Sequence, residues 1–141
     1  MNLRKNNGDW IELVAHNRFL RALYGDRLGE AATGSLVGHH YDALSNDFIL
    51  TIDLDLFPVS PPPKWHGDAN TVQLQMMFFD LSKLSVGVKE GGRGGRLSIC
   101  RREPQGVSFA FGSDSTEVSG EAGGASVVKI SAYQDDLLPE K

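Results

Sequence analysis

The chain has 141 residues, a single cysteine and a formal net charge of −4. That length suits one domain, expected to span 1–141 and able to bury ~70% of the surface its unfolded form exposes, so folding needs no metal or disulfide staple. Cys100 alone excludes a disulfide framework and a thiolate zinc cluster, and the acidic balance argues against a surface built for nucleic acid phosphates. The first nine residues, Met1 to Asp9, carry basic side chains but no apolar run behind them, and no later segment reaches a membrane-spanning length. The expectation is a soluble cytoplasmic protein with no membrane and no nucleic acid partner.

In chain order, Asp9 and Glu12 form a capping-box-like pair ahead of Trp10, Leu13, Val14, Leu20, Leu23 and Tyr24, which recur at helical spacing. The pattern predicts one amphipathic helix of about four turns, stopped by Gly25. Asn17, beside the apolar stripe, is read as an amide that ties the helix to a loop. A Gly/Ala-rich link then runs to Gly34, and a diluted strand covers Leu36 to Ala43. Ser45-Asn46-Asp47 supplies turn chemistry that reverses the chain into Phe48 to Leu56. There Phe48, Leu50, Ile52, Leu54 and Leu56 alternate with Thr51, Asp53 and Asp55, the period of a half-buried strand. Pro58 and Pro61 to Pro63 end it in a stiff exit to Trp65.

Val72 to Phe79 reads as a second long strand. Its end is apolar on both sides, at Met77 and Phe79, which predicts a cover by the helix or a second layer. Leu81 to Val88 forms a further strand, and the glycine-rich stretch from Glu90 to Arg96 reads as a mobile hairpin tip. Leu97 to Arg101 and Val107 to Phe111 are strands joined by the turn Glu103 to Gly106. A brief strand at Glu117 to Ser119, a loop at Gly120 to Gly124 and a closing strand from Val127 to Tyr133 complete the sheet. The ordered core is expected over 9–134, with a polar tail at 135–141. The fold class is α+β, mainly antiparallel β: one N-terminal helix packed on a curved or two-layer sheet of about seven strands.

Catalytic signals are weak. Asp53 and Asp55 share one strand face, but neither a hard cation nor a shared proton is served without further oxygen ligands or an acid partner nearby. His16, His39, His40 and His66 do not fall into a ligand spacing, and the glycine stretch lacks the lysine-serine pair and following helix of a phosphate loop. No serine sits in a nucleophile elbow, and no helix start lies near Cys100 to lower its pKa. Arg93, Arg96, Arg101 and Arg102 are not interleaved with aromatic residues for base stacking. No cofactor, no metal and no enzymatic activity are expected. Trp65, rigidly presented by the proline turn, is either a lid on the core or an anchor for a partner, with the lid favoured.

Trp10, the helix ending Asn17-Arg18-Phe19-Leu20-Arg21-Ala22-Leu23-Tyr24-Gly25, the strand Leu50 to Leu54, the exit Pro61-Pro62-Pro63-Lys64-Trp65 and the strand Val72 to Phe78 together resemble the immunity protein 50 family. The resemblance extends from Trp10 to about Tyr133. It implies a bacterial cytoplasmic protein, encoded beside a polymorphic toxin, that binds its cognate toxin domain and blocks it without chemistry. A toxin that attacks nucleic acid has a basic cleft, which the carboxylates of Asp53 and Asp55 suit; Trp65 and Asp68 complete the expected partner-binding set. A scaffold β-module that assembles through a sheet edge is the alternative, and a small-molecule binder or enzyme using the concave side of the sheet is a third.

Overall fold

The computed structural model describes residues 9–65, 67–89 and 94–135. A four-residue 3-10 turn, Trp10–Leu13, leads into β1 (Val14–Ala15) and α1 (Arg18–Tyr24). Six longer strands follow: β2 (Ala32–Asp42), β3 (Asp47–Leu54), β4 (Thr71–Val88), β5 (Gly95–Arg101), β6 (Val107–Gly112) and β7 (Thr116–Tyr133). Their order is β1-β7-β4-β3-β2-β5-β6, and β6 also pairs with β7. That last pairing closes β2 to β7 into an antiparallel barrel, the strongest form of the expected curvature, and β1 adds to β7 in parallel.

Alternation along the strands fills the interior. Phe48, Leu50, Ile52 and Leu54 of β3 and Val72, Leu74, Met76 and Phe78 of β4 are buried. From the far wall Phe109 stacks on Phe78 with ring centroids 3.8 Å apart and lies 6.2 Å from Phe48. The narrow seam is β2 with β5, paired only from Ala32 to Gly34. Gly34 is the residue where β2 serves β3 and β5 at once; a side chain there meets the Asp53 carbonyl at 2.2 Å, so bare backbone is required.

The predicted four-turn helix is divided. Val14 and Ala15 pair with Ala125 and Ser126, and His16 adopts a φ of 58°, which no right-handed helix accommodates. Asp9 makes no side-chain cap; Arg21 instead donates to Asp9 at 2.9 Å and Glu12 at 2.8 Å. Most of the apolar positions still reach the interior: Trp10, Val14, Leu20, Leu23 and Tyr24 are buried, Leu13 is half-buried, and Ile11, outside the expected stripe, is buried as well. Asn17 Nδ2 donates to the Ile11 carbonyl at 2.7 Å, the tie read from its position. Gly25 closes α1 at positive φ, its N–H bound to the Arg21 carbonyl.

Strand boundaries also differ from expectation. The Gly/Ala link is partly β2, because Ala32 to Gly34 pair with β5. β3 stops at Leu54, leaving Asp55 and Leu56 past its end. The two predicted strands at Val72 to Phe79 and Leu81 to Val88 are one, bent at Asp80, whose φ is 54°. Gly120 to Gly124 is not a loop but the middle of the 18-residue β7. Its glycines leave room for neighbours: a side chain at Gly124 meets the Phe79 ring at 2.4 Å, and one at Gly120 meets the Phe109 ring at 2.7 Å. The same packing explains Phe79, which like Met77 is half-buried on the outside of the barrel. β4 and β5 are not neighbours; the hairpin tip expected from Glu90 to Arg96 falls on residues 90–93, which, like residues 1–8, His66 and 136–141, lie outside the described residues.

Candidate partner-binding surface

Asp53 lies on the outer face of β3, opposite Ser35 of β2 and Gln73 of β4. Its carboxylate accepts from Gln73 Nε2 at 3.0 Å and from the Tyr133 hydroxyl. Three strands therefore meet in one polar cluster that spacing did not show, because Asp53 and Tyr133 are 80 residues apart. Burial first, then the hydrogen bond and charge of Asp53, push the Tyr133 phenol up to about 12. Both oxygens of the half-buried Asp53 carboxylate are thus engaged.

Asp55, two residues on, is exposed, and its N–H donates to the Thr33 carbonyl at 3.0 Å. Asp68 is exposed in the connection between β3 and β4. Trp65 is half-buried against the core in that connection. Its ring meets Phe19 edge-on at 6.1 Å and Phe57 at 6.3 Å, the geometry of a lid. Lys64 Nζ sits 5.9 Å from the Phe19 ring centroid, within cation-π range. Asp53, Asp55, Trp65 and Asp68 thus all fall at the Leu54 end of β3 or in the chain that leaves it, and Asp53 is tied into a side-chain cluster with β4 and β7.

The opposite end of β3 carries a feature that sequence reasoning treated only as a turn. Asp42 Oδ1 accepts from the N–H groups of Leu44 at 3.0 Å and Ser45 at 3.4 Å. Asn46, at a φ of 57°, donates its N–H to the Asp42 carbonyl and its side-chain amide to Leu81, while its own carbonyl accepts from Leu81 N–H. The Tyr41 hydroxyl donates to Asn46 Oδ1 at 3.0 Å. Leu44 at the tip is 99% exposed. The Asx signature of Asp42 with Asn46 was available in the sequence; the docking of the turn onto β4 was not.

Elsewhere the chemistry is sparse. His16 Nδ1 lies 3.0 Å from Ser126 Oγ, and His39 packs beside Phe48. Arg102 pairs with Glu121 at 3.4 Å, which removes it from a free basic patch. Cys100 lines a shallow outer groove with Ser98, Ser108, Ser119 and Lys83. Among the described residues no group of three or more His, Cys, Asp and Glu side chains is placed to hold a metal ion. Among them, too, no helix is long and apolar enough to cross a membrane.

Comparison with curated proteins and with solved structures gives no match. A family model, immunity protein 50, matches residues 35–133. That span runs from Ser35 within β2 to Tyr133 at the end of β7, so it holds most of the barrel, the Asp53 cluster and the Asn46 turn, whereas the expected match over Trp10 to Gly25 lies outside it. Because the match covers more than half of the 141 residues, the chain belongs to the immunity protein 50 family.

Proposed function

We propose that this protein binds a cognate bacterial toxin domain in the cytoplasm and neutralises it by stoichiometric, non-catalytic inhibition. The observation that carries this reading is the family match over residues 35–133. A rigid closed barrel supports it, since a preformed surface loses little entropy on binding. Asp53, Asp55 and Asp68, with Trp65 beside them, are the proposed contacts for a toxin with a basic cleft, such as a nuclease. Carboxylates at one end of the barrel raise the encounter rate with such a partner and oppose entry of its polyanionic substrate.

The test is survival of a host that expresses the toxin domain encoded beside this gene, with and without this protein, followed by titration of the purified pair. Rescue with one-to-one binding is expected. Charge reversal of Asp53 and Asp55 together should slow association and flatten its salt dependence; unchanged affinity and salt dependence would remove them from the interface. A self-assembling β-module is the second reading, favoured by the one-sided stretches of β2 and β4. Sizing chromatography separates the two, because that reading requires self-association at micromolar concentration.

A further inference from the structure

We infer that the β2–β3 hairpin, through the outer edge of Val37 to Asp42 and the tip at Leu44, is a second docking element for the toxin domain, separate from the proposed contacts at the Leu54 end of β3, and that it pairs with an extended basic segment of that domain. This rests on the proposed immunity function and adds the surface and the chemistry of the partner. The edge is the first observation. β2 is paired on both sides only at Gly34, since β5 accompanies it from Ala32 to Gly34 and β3 from Gly34 to Asp42, with a bulge at Val37. Among the described residues no strand covers the other edge from Val37 onward. Its backbone groups are therefore available to an added strand, and main-chain pairing of that kind supplies affinity while alternate side chains supply selectivity. Val37 and Tyr41, on that stretch, are 53% and 46% exposed.

The tip is the second observation, independent of the first. A loop that must order on binding loses affinity to entropy, whereas this one is fixed by hydrogen bonds from Leu44, Ser45, Asn46 and Tyr41 and is anchored on Leu81. What it presents is a leucine with almost no contact to its own protein. A lone exposed leucine is ordinary; one held on a locked turn at the end of an unpaired edge is an anchor waiting for an apolar pocket.

Charge selects the occupant. Asp42 and Asp47 face each other across the hairpin, at the tip end of the edge. A basic segment meets them favourably. A second copy pairing through the same edge offers no such segment, because Val37 to Asp42 contains neither lysine nor arginine.

The experiment uses the full-length protein and the purified toxin domain encoded beside its gene. Leu44→Asp and, separately, Val37→Lys with Tyr41→Lys are compared with wild type for affinity, and amide hydrogen exchange of residues 37–46 is followed with and without the toxin domain. Leu44 lies outside the core, so its variant should keep the wild-type unfolding transition. The expected result is at least a tenfold loss of affinity for each variant and slowed exchange along the β2 edge in the wild-type complex. Wild-type binding that is unchanged in both variants, with no protection of residues 37–42, overturns the docking element and leaves the immunity function standing. No binding by wild type overturns both. A concentration-dependent dimer that the same variants abolish assigns the edge to a second copy, and the inference is then wrong.

Discussion

The two halves of β4 share a strand and a partner yet differ in what surrounds them. From Thr71 to Phe79 the strand lies between β3 and β7, and its residues alternate between buried and half-buried. From Leu81 to Val88 it keeps β7 but loses β3, and Val86 and Val88 are exposed although they continue an apolar pattern. The lesson is that alternation decides which way a side chain points, while the second neighbour decides whether that direction is dry. The bend at Asp80, where the β2–β3 turn docks on Leu81, marks the transition.

The sharpest test of this contrast is Phe109→Ala, which removes the ring stacked on Phe78 in the two-sided half. It should cost about 3–5 kcal/mol in denaturant unfolding. Gly120→Ala probes the one-sided half where β7 backs it: the added carbon meets the Lys83 carbonyl at 2.5 Å and the Phe109 ring at 2.7 Å, so a loss of roughly 1–3 kcal/mol is expected. A neutral result would show that the one-sided half yields freely. Asn46→Ala removes the side-chain bonds to Leu81 and Tyr41 at the transition point and should cost about 1–2 kcal/mol, with faster exchange of the Leu81 amide.

Alkaline titration sharpens the contrast from the other end of the strand. The Tyr133 phenol, raised to about 12 against an ordinary value of 10, holds its proton more tightly in the folded state. Its stabilisation is therefore present below pH 10 and lost as the pH rises toward 12. Tyr24, buried with its hydroxyl on the Leu56 carbonyl and also raised, acts in the same direction. Unfolding midpoints followed from pH 9 to 12 should fall, and Tyr133→Phe should reduce that fall without abolishing it. The smallest effect belongs to Val86→Ser, expected within about 0.5 kcal/mol of wild type because the side chain has little packing to lose.

Much of the wall was legible from residue period. Phe48 to Leu54, Val72 to Phe78 and Val107 to Phe111 alternate as expected and bury the expected faces. The failures are specific. Trp10, Leu13, Val14, Leu20, Leu23 and Tyr24 suit a helix by spacing, but pairing of Val14 and Ala15 with β7 outweighed local propensity. The glycines of β7 read as a loop because their role depends on rings from Phe79 and Phe109, remote in sequence. Of the candidate site, the carboxylates were named from alternation, whereas the Gln73 and Tyr133 partners of Asp53 and the locked Leu44 tip required the assembled sheet.

The sequence by itself determined a mainly antiparallel sheet with one dry face, curved or in two layers, the stiff exit to Trp65 and the β2–β3 turn, because each follows from neighbours within a few residues and from the period of a pleated strand. Closure of the barrel through β6 and β7, the division of the N-terminal helix and, among the described residues, the unpaired edge of β2 were decided only in three dimensions. Each depends on which strands become neighbours, and that choice is governed by packing of Phe78 on Phe109 and by the narrow seam at Gly34, contacts between residues far apart along the chain.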